Sequence, residues 1–329
     1  MSLNAKVLVT NPVDAVGEAI LREAGCRIVQ PSGEAQETLY DLVVDADALI
    51  VRSKIPDDLL DHGPRLRAVV RHGVGLDFLP MARATALGIA VANVPGANAE
   101  AVAEYVFAAF LELARQLGKL NAELRESDWW TARARSAGAL ELWDKCLGIV
   151  GVGNVGQRVA RIGGLGFGMR VLASEPRLGA LQDFVSPTAL PDLFAQSDFI
   201  ALCCPLTPQT HRLVGADLIG RMKSTACLVN AARGEVIDDD ALVAALRERR
   251  IGGAALDVFA AQPLPRGHPY LSLDNLVLTP HLAGLTVESM QRMSKIACEE
   301  AVRMLRGEQP VNSVNPEVWH SSRRRGGPR

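Results

Sequence analysis

The run "LGIVGVGNVG", residues 147–156, decides the fold. Its apolar start reads as a buried strand, and Gly151, Gly153 and Gly156 follow at GxGxxG spacing, opening a helix expected over 155–163. In that context the first glycine permits a tight turn, the second lets the backbone approach a pyrophosphate, and the third lets helix and strand pack closely. The N–H groups at the helix start then face phosphate oxygens. A dinucleotide is therefore expected on Gly151, Gly153, Asn154, Val155 and Gly156. Glu175 follows the next apolar run, "RVLAS" 170–174, and stands 19 residues beyond Gly156. A carboxylate there accepts hydrogen bonds from a ribose 2′-OH and repels a 2′-phosphate. NAD is favoured over NADP, although Arg177 nearby works slightly the other way.

Strands and helices alternate outward from this stretch. Beyond it come "DFIALCC" 198–204, "ACLVN" 226–230, "GGAALDV" 252–258 and "NLVLTP" 275–280. Before it, "KVLVT" 6–10, "CRIVQ" 26–30, "ALIVR" 48–52, "RAVVR" 67–71 and "IAVAN" 89–93 read as buried parallel strands. Helices are expected between them over 12–24, opened by Pro12 and closed by Gly25, and over 78–87, closed by Gly88. Alternation of this kind builds a doubly wound parallel sheet. Pro95 and Gly96 break the chain, Asn98 is a good N-cap, and an apolar helix to about Gly118 is expected to connect two α/β units. A final amphipathic helix, 286–306, ends at Gly307.

The 329 residues suffice for two domains, and 48% hydrophobic with 22% charged residues is ordinary for a globular protein. A net charge of −2 supplies no field for nucleic acid or an acidic membrane. The basic run Arg323-Arg324-Arg325 lies in a tail, 319–329, expected to be disordered. Six cysteines carry neither a CxxC pair nor a zinc-ligand spacing, so no metal site is expected and a reducing compartment fits best. "MSLNAKVLVT" enters a strand pattern directly, without a leader, which makes the cytoplasm the expected location.

Three later strand ends carry polar side chains that packing alone does not explain. "VNAARGEVID" 229–238 places Arg233 in a turn after a buried strand. "ALDVFAAQPLP" 255–265 places Asp257 at the next strand end and Gln262 in the loop beyond. "LTPHLAG" 278–284 places His281 after another strand. The carboxyl edge of such sheets is where ligands bind.

Taken in order, "IVRS" 50–53, "VVRHGVGLD" 69–77, "VPGANAEAVAE" 94–104, the glycine run, "CPLTPQT" 204–210, "NAARG" 230–234, "ALDVF" 255–259, "TPHLAG" 279–284 and "VNSVNPEV" 311–318 span nearly the whole chain. The sequence resembles the D-isomer-specific 2-hydroxyacid dehydrogenases, in the style of 3-phosphoglycerate dehydrogenases and hydroxypyruvate reductases. That resemblance implies a Rossmann-type NAD domain, 99–285, inserted in a flavodoxin-like substrate domain, 1–98 plus 286–318, and a homodimer joined through the NAD domain. It implies hydride transfer at C2 of a small carboxylate substrate. Arg233 would pair with the substrate carboxylate, for which a planar fork suits better than an ammonium. His281 would be general acid in reduction and general base in oxidation. Asp257 would hold the nicotinamide amide, and Cys204, Pro205, Thr210, Ala231, Ala232 and Gly284 would line the cofactor. N–H groups of Gly73, Val74 and Gly75 would complete the grip on the carboxylate, with Asn98 at the interdomain cleft. Arg52 and Arg71 would meet the phosphate of a 3-phosphoglycerate-type substrate.

One residue departs from the family pattern. Five positions after Asp257, where the pattern has Glu, stands Gln262. Its amide can orient His281 but supplies no charge, so reduction should fade at lower pH than in Glu-bearing relatives. Glutamine here resembles formate dehydrogenase, whose hydride transfer exchanges no proton. Three readings thus stand: an oxidoreductase of the 3-phosphoglycerate or hydroxypyruvate/glyoxylate class, a formate-type enzyme, and an NAD-sensing interaction protein on the same scaffold.

Overall fold

The apolar runs at the start of the chain form a five-stranded parallel sheet in a computed structural model, which describes residues 2–31, 36–174 and 182–320. Its strands are β1 (Lys6–Val9), β2 (Arg27–Val29), β3 (Ala48–Val51), β4 (Ala68–Arg71) and β5 (Ala90–Ala92). Their order, β2-β1-β3-β4-β5, is the flavodoxin-like one. Successive side chains take opposite faces: Val7, Val9 and Ile50 join Leu21, Met293 and Ala297, whereas Leu8, Leu49 and Val51 join Leu59, Leu60 and Leu66. β2 is half-exposed rather than buried because it lies at the edge.

The connecting helices are α1 (Ala15–Glu23), α2 (Gln36–Val43) and α3 (Met81–Ala86). Asp14, not Pro12, opens α1, its carboxylate accepting from the Val16 N–H. Such a cap is worth about 1 kcal/mol.

The second sheet contains β6 (Cys146–Val150), β7 (Arg170–Ser174), β8 (Val185–Pro187), β9 (Phe199–Leu202), β10 (Cys227–Asn230), β11 (Gly253–Leu256) and β12 (Leu276–Leu278). All pair in parallel, in the order β12-β11-β10-β9-β6-β7-β8. Counted from β6, this is the dinucleotide-binding order with one strand added beyond β11, and the winding reverses between β6 and β9. The short edge strand β8 was not foreseen: three residues ending in proline carry no periodic signal.

The helix after Asn98 is more than a connector. α4 (Ala99–Arg115) buries Ala103, Val106, Phe107 and Phe110 against Ile149, Phe199 and Val229 of the second sheet. Burying a Phe is worth about 1.5–3 kcal/mol, so this helix belongs to the second core. Gln116 at φ 51 ends it short of Gly118. Then follow α5 (Leu117–Glu126), α6 (Trp129–Arg135), α7 (Asn154–Arg161), α8 (Leu190–Gln196), α9 (Ala216–Ile219) and α10 (Asp239–Arg247).

The chain then returns to the first sheet. α11 (Val287–Leu305) starts with a reciprocal Thr286–Ser289 cap and stops before Gly307 at φ 83. α12 (Pro316–Trp319) packs Trp319 against the first core, so residue 319 belongs to the fold and not to a tail. The run Arg323-Arg324-Arg325 lies outside the described residues. Contacts divide the chain into one unit of 1–98 with 285–329 and another of 99–284. Among the described residues no helix is long and apolar enough to cross a membrane.

Candidate active site

The glycine run sits at the reversal point of the second sheet. Gly151, at φ 91, leaves β6 so close to β9 that a Cβ would stand 2.7 Å from Cys204 Cα. Cys204 thus lies against the Gly151 backbone and is buried, while burial pushes the neighbouring Cys203 thiol up to about 12. A Cβ on Gly156 would stand 2.1 Å from the Gly151 carbonyl oxygen. Gly153 differs: a Cβ there would meet no protein atom within 4 Å. It also occupies the N-cap of α7, and no side chain caps that helix. Open space before uncapped amides is the cradle a pyrophosphate requires, and NAD fits it. In the loop after β9, Thr210 Oγ1 donates to Pro205 O at 2.6 Å and accepts from Thr207 N at 2.7 Å, so this pair fixes its own loop. Glu175 and Arg177 lie outside the described residues.

β10, β11 and β12 are adjacent, so their carboxyl ends bring the Arg233, Asp257 and His281 segments to one rim. Asn230, fully buried at the end of β10, shapes the first loop. Its Nδ2 donates to Arg233 O at 2.8 Å and its Oδ1 accepts from Ala232 N at 3.0 Å. Gly234 presses this loop onto the chain leaving β11, because a Cβ would stand 2.0 Å from Phe259 C. Ala231 and Arg233 are half-buried and Ala232 is buried; Arg233 Nη1 donates to Ala232 O at 2.6 Å.

Asp257 holds the turn that carries His281. Only 1% exposed, its carboxylate accepts from Thr279 Oγ1 at 2.7 Å, Leu282 N at 2.8 Å and Ala283 N at 2.8 Å. An ionised carboxylate offers about four acceptor positions, so three are spent within the turn that leads to Gly284. These bonds tie Asp257 to the His281 turn and leave one acceptor position for a further partner. His281 itself is left-handed, at φ 55, with its N–H 2.8 Å from Asp257 O.

Gln262 is where the expectation placed it. Its Nε2 donates to Phe259 O at 3.1 Å, which turns Oε1 toward the His281 ring, 2.8 Å from Nδ1. An amide oxygen only accepts, so Nδ1 carries the proton and Nε2 is left for exchange. Tyr105, Thr279 and Asn230 were missed as site residues. Thr279 and Asn230 stand inside the motifs "TPHLAG" and "NAARG", and Tyr105 directly follows "VPGANAEAVAE".

The first unit carries the remaining expected residues. All three carbonyls of the 73–75 turn are tied: Gly73 O by Val94 N at 3.1 Å, Val74 O by Asn93 Nδ2 at 2.9 Å and Gly75 O by Arg71 Nε at 3.1 Å. Among the described residues the Val74 and Gly75 N–H groups have no partner, whereas Gly73 N donates to Arg71 O. Arg71 is buried, also donates to Val51 O, Arg52 O and His72 O, and lies 4.5 Å from the Phe78 ring centre. These bonds brace the turn. Arg52 donates to Pro12 O and lies 3.8 Å from Met290 Sδ, so it too serves packing. Asn98 is half-buried directly ahead of α4. His72 is buried with Nε2 2.8 Å from Ser294 Oγ, and burial, helped by Arg52 and Arg71, lowers its pKa to about 4.

Residues 107–283 match the family model for the D-isomer specific 2-hydroxyacid dehydrogenase NAD binding domain. The chain is 41% identical to a glyoxylate reductase of Aeropyrum pernix over 86% of its own length and 87% of that protein. It is 37% identical to a D-3-phosphoglycerate dehydrogenase of Methanocaldococcus jannaschii over 94% of its length, but spans only 59% of that protein. Among solved structures, the NAD-dependent formate dehydrogenase of Staphylococcus aureus in complex with NAD aligns with a TM-score of 0.82 at 27% identity, over 92% of this chain and 96% of that one.

Proposed function

Because the chain belongs to the D-isomer specific 2-hydroxyacid dehydrogenase family and is an NAD-dependent oxidoreductase, we propose that it interconverts a small 2-oxo acid of the glyoxylate or hydroxypyruvate class and its D-2-hydroxy acid, with His281 and Arg233 at the reacting carbon. NAD, when bound, supplies or takes the hydride. His281 Nε2 gives the proton to the C2 oxygen in reduction and takes it back in oxidation. Gln262 holds the ring by Nδ1 without adding charge. Arg233 pairs with the carboxylate and polarises the carbonyl. In the first unit, the Val74 and Gly75 N–H groups have no partner among the described residues and can donate to an anion. The observation that carries this reading is the His281–Gln262 pair on the same rim as Arg233.

The inward engagement of Arg71 and Arg52 favours an unphosphorylated substrate over 3-phosphoglycerate. So does a relative that matches over most of both chains, a glyoxylate reductase. Gln262 alone favours a formate-type reading. Steady-state assays against glyoxylate, hydroxypyruvate, 3-phosphoglycerate and formate, with NAD(H) and NADP(H) compared, test it. Turnover confined to formate, or to 3-phosphoglycerate, would overturn it.

We also read the chain as a homodimer. Trp129 and Trp130 on α6 and Leu117 and Leu124 on α5 are all exposed, Trp130 by 74%. A cluster of this size on neighbouring helices is the usual mark of an interface. A cytoplasmic setting is supported by six free cysteines, five of them buried. Sedimentation of the wild type and of Trp130→Glu tests the dimer.

A further inference from the structure

His281 stands in the left-handed backbone region, uncommon for non-glycine residues, at φ 55. Such a conformation persists only where the surroundings over-determine it. The surroundings here form a chain of hydroxyls. Thr279 Oγ1 donates its single proton to Asp257 Oδ1 at 2.7 Å. Tyr105 Oη lies 2.6 Å from the same Thr279 oxygen. With the threonine proton committed to a carboxylate, which only accepts, the proton on the second bond must come from tyrosine. The order is therefore fixed: Tyr105 donates to Thr279, Thr279 to Asp257, and the Asp257 carboxylate holds the amides of Leu282 and Ala283, directly after His281.

We propose that Tyr105, acting through Thr279 and Asp257, is a positioning residue for His281, holding the imidazole at the angle from which Nε2 reaches the substrate oxygen. Tyr105 comes from α4, so the long helix of the second unit serves the proton donor as well as the core. Four hydrogen bonds between α4 and the turn transmit orientation without touching substrate. Burial raises the tyrosine's pKa to about 12, which keeps its hydroxyl a donor over the working range. A hydroxyl that donates to the Asp257 carboxylate binds it more strongly when its own oxygen accepts from a further donor.

The inference rests on His281 acting as the proton donor, and the experiment separates the two. Tyr105→Phe, Thr279→Val, Thr279→Ser and His281→Asn are compared in the full-length enzyme, with glyoxylate and hydroxypyruvate as substrates and rates normalised to NADH-binding sites. Misplacing a reacting group by about 1 Å can cost up to a hundredfold, so Tyr105→Phe and Thr279→Val should lower kcat on the order of tenfold. KM for the oxo acid and Kd for NADH should stay within about twofold. Thr279→Ser, which keeps the hydroxyl, should restore kcat. A merely structural role would lower the number of NADH sites but leave kcat per site unchanged, and that result overturns the proposal. So does an increase in KM at constant kcat. Activity surviving in His281→Asn would instead overturn the reading of His281 itself.

Discussion

His281 Nδ1 donates to Gln262 Oε1 at 2.8 Å, so a neutral amide holds the ring where the family pattern has a carboxylate. The imidazolium needed for reduction thus forms without a counter-charge at this position. Gln262→Glu supplies one, and a close carboxylate raises an imidazole pKa by roughly one to three units. Because the charged form is the proton donor, the pH above which reduction fades should move up in the variant, while oxidation should need higher pH. The profile of kcat/KM against pH in both directions checks this. An unmoved profile would mean that residue 262 only shapes the loop.

Two glycines of the cofactor turn, Gly153 and Gly156, should respond differently to one added methyl. Gly153→Ala places its Cβ in open space, so the protein should keep its melting temperature. The methyl would occupy the room a pyrophosphate needs, and NADH affinity should fall by about tenfold or more. Gly156→Ala would set a Cβ 2.1 Å from the Gly151 carbonyl oxygen, forcing backbone to move. Overpacking of that kind costs typically about 1–3 kcal/mol, so this variant should lose stability and NADH together. Fluorescence titration and thermal unfolding of both variants separate the two roles, and equal melting losses would count against the open cradle.

Strand positions were legible in the sequence because parallel strands buried on both faces leave continuous apolar runs, as in "CLGIV" and "CLVN". The edge strand β8 left no such trace. Position on the rim was legible too, since Arg233, Asp257 and His281 each follow a readable strand. What each side chain does there was less so. Asp257 and Arg71 looked like ligand-binding charges, and both also hold groups of their own units. A charged residue beside a site motif has the same local sequence whether it faces ligand or braces the loop. Tyr105 was hidden for a related reason: one polar hydroxyl in an apolar helix reads as core until its partner, 174 residues away, is in view.

The assignment of Asp257 makes a test of its own. In Asp257→Asn one carboxylate oxygen becomes an NH2 that faces another donor, either Thr279 with Leu282 N, or Ala283 N. A buried donor without an acceptor costs about 1–3 kcal/mol. The variant should therefore melt at lower temperature even without cofactor, and its kcat should fall. If Asp257 served only a bound nicotinamide, the melting point of the cofactor-free protein would be unchanged and NADH affinity alone would drop.

His72 lies beside the turn that offers the Val74 and Gly75 amides. It is 4% exposed, and burial, with the Arg52 and Arg71 charges adding to it, lowers its pKa to about 4 from an ordinary value of 6.5. Above pH 6.5 the ring is neutral in both folded and unfolded chains, and its titration costs nothing. As the pH falls through the window from 6.5 to 4, the unfolded chain gains a proton that the folded one refuses. Stability is lost across that window, by about 3 kcal/mol at most, and the loss levels off below pH 4. His72→Gln keeps a polar group near Ser294 Oγ but cannot titrate. Urea unfolding between pH 7 and 4.5 should show the wild type losing stability faster than the variant as the medium is acidified. Parallel pH slopes for the two proteins would place the titration elsewhere.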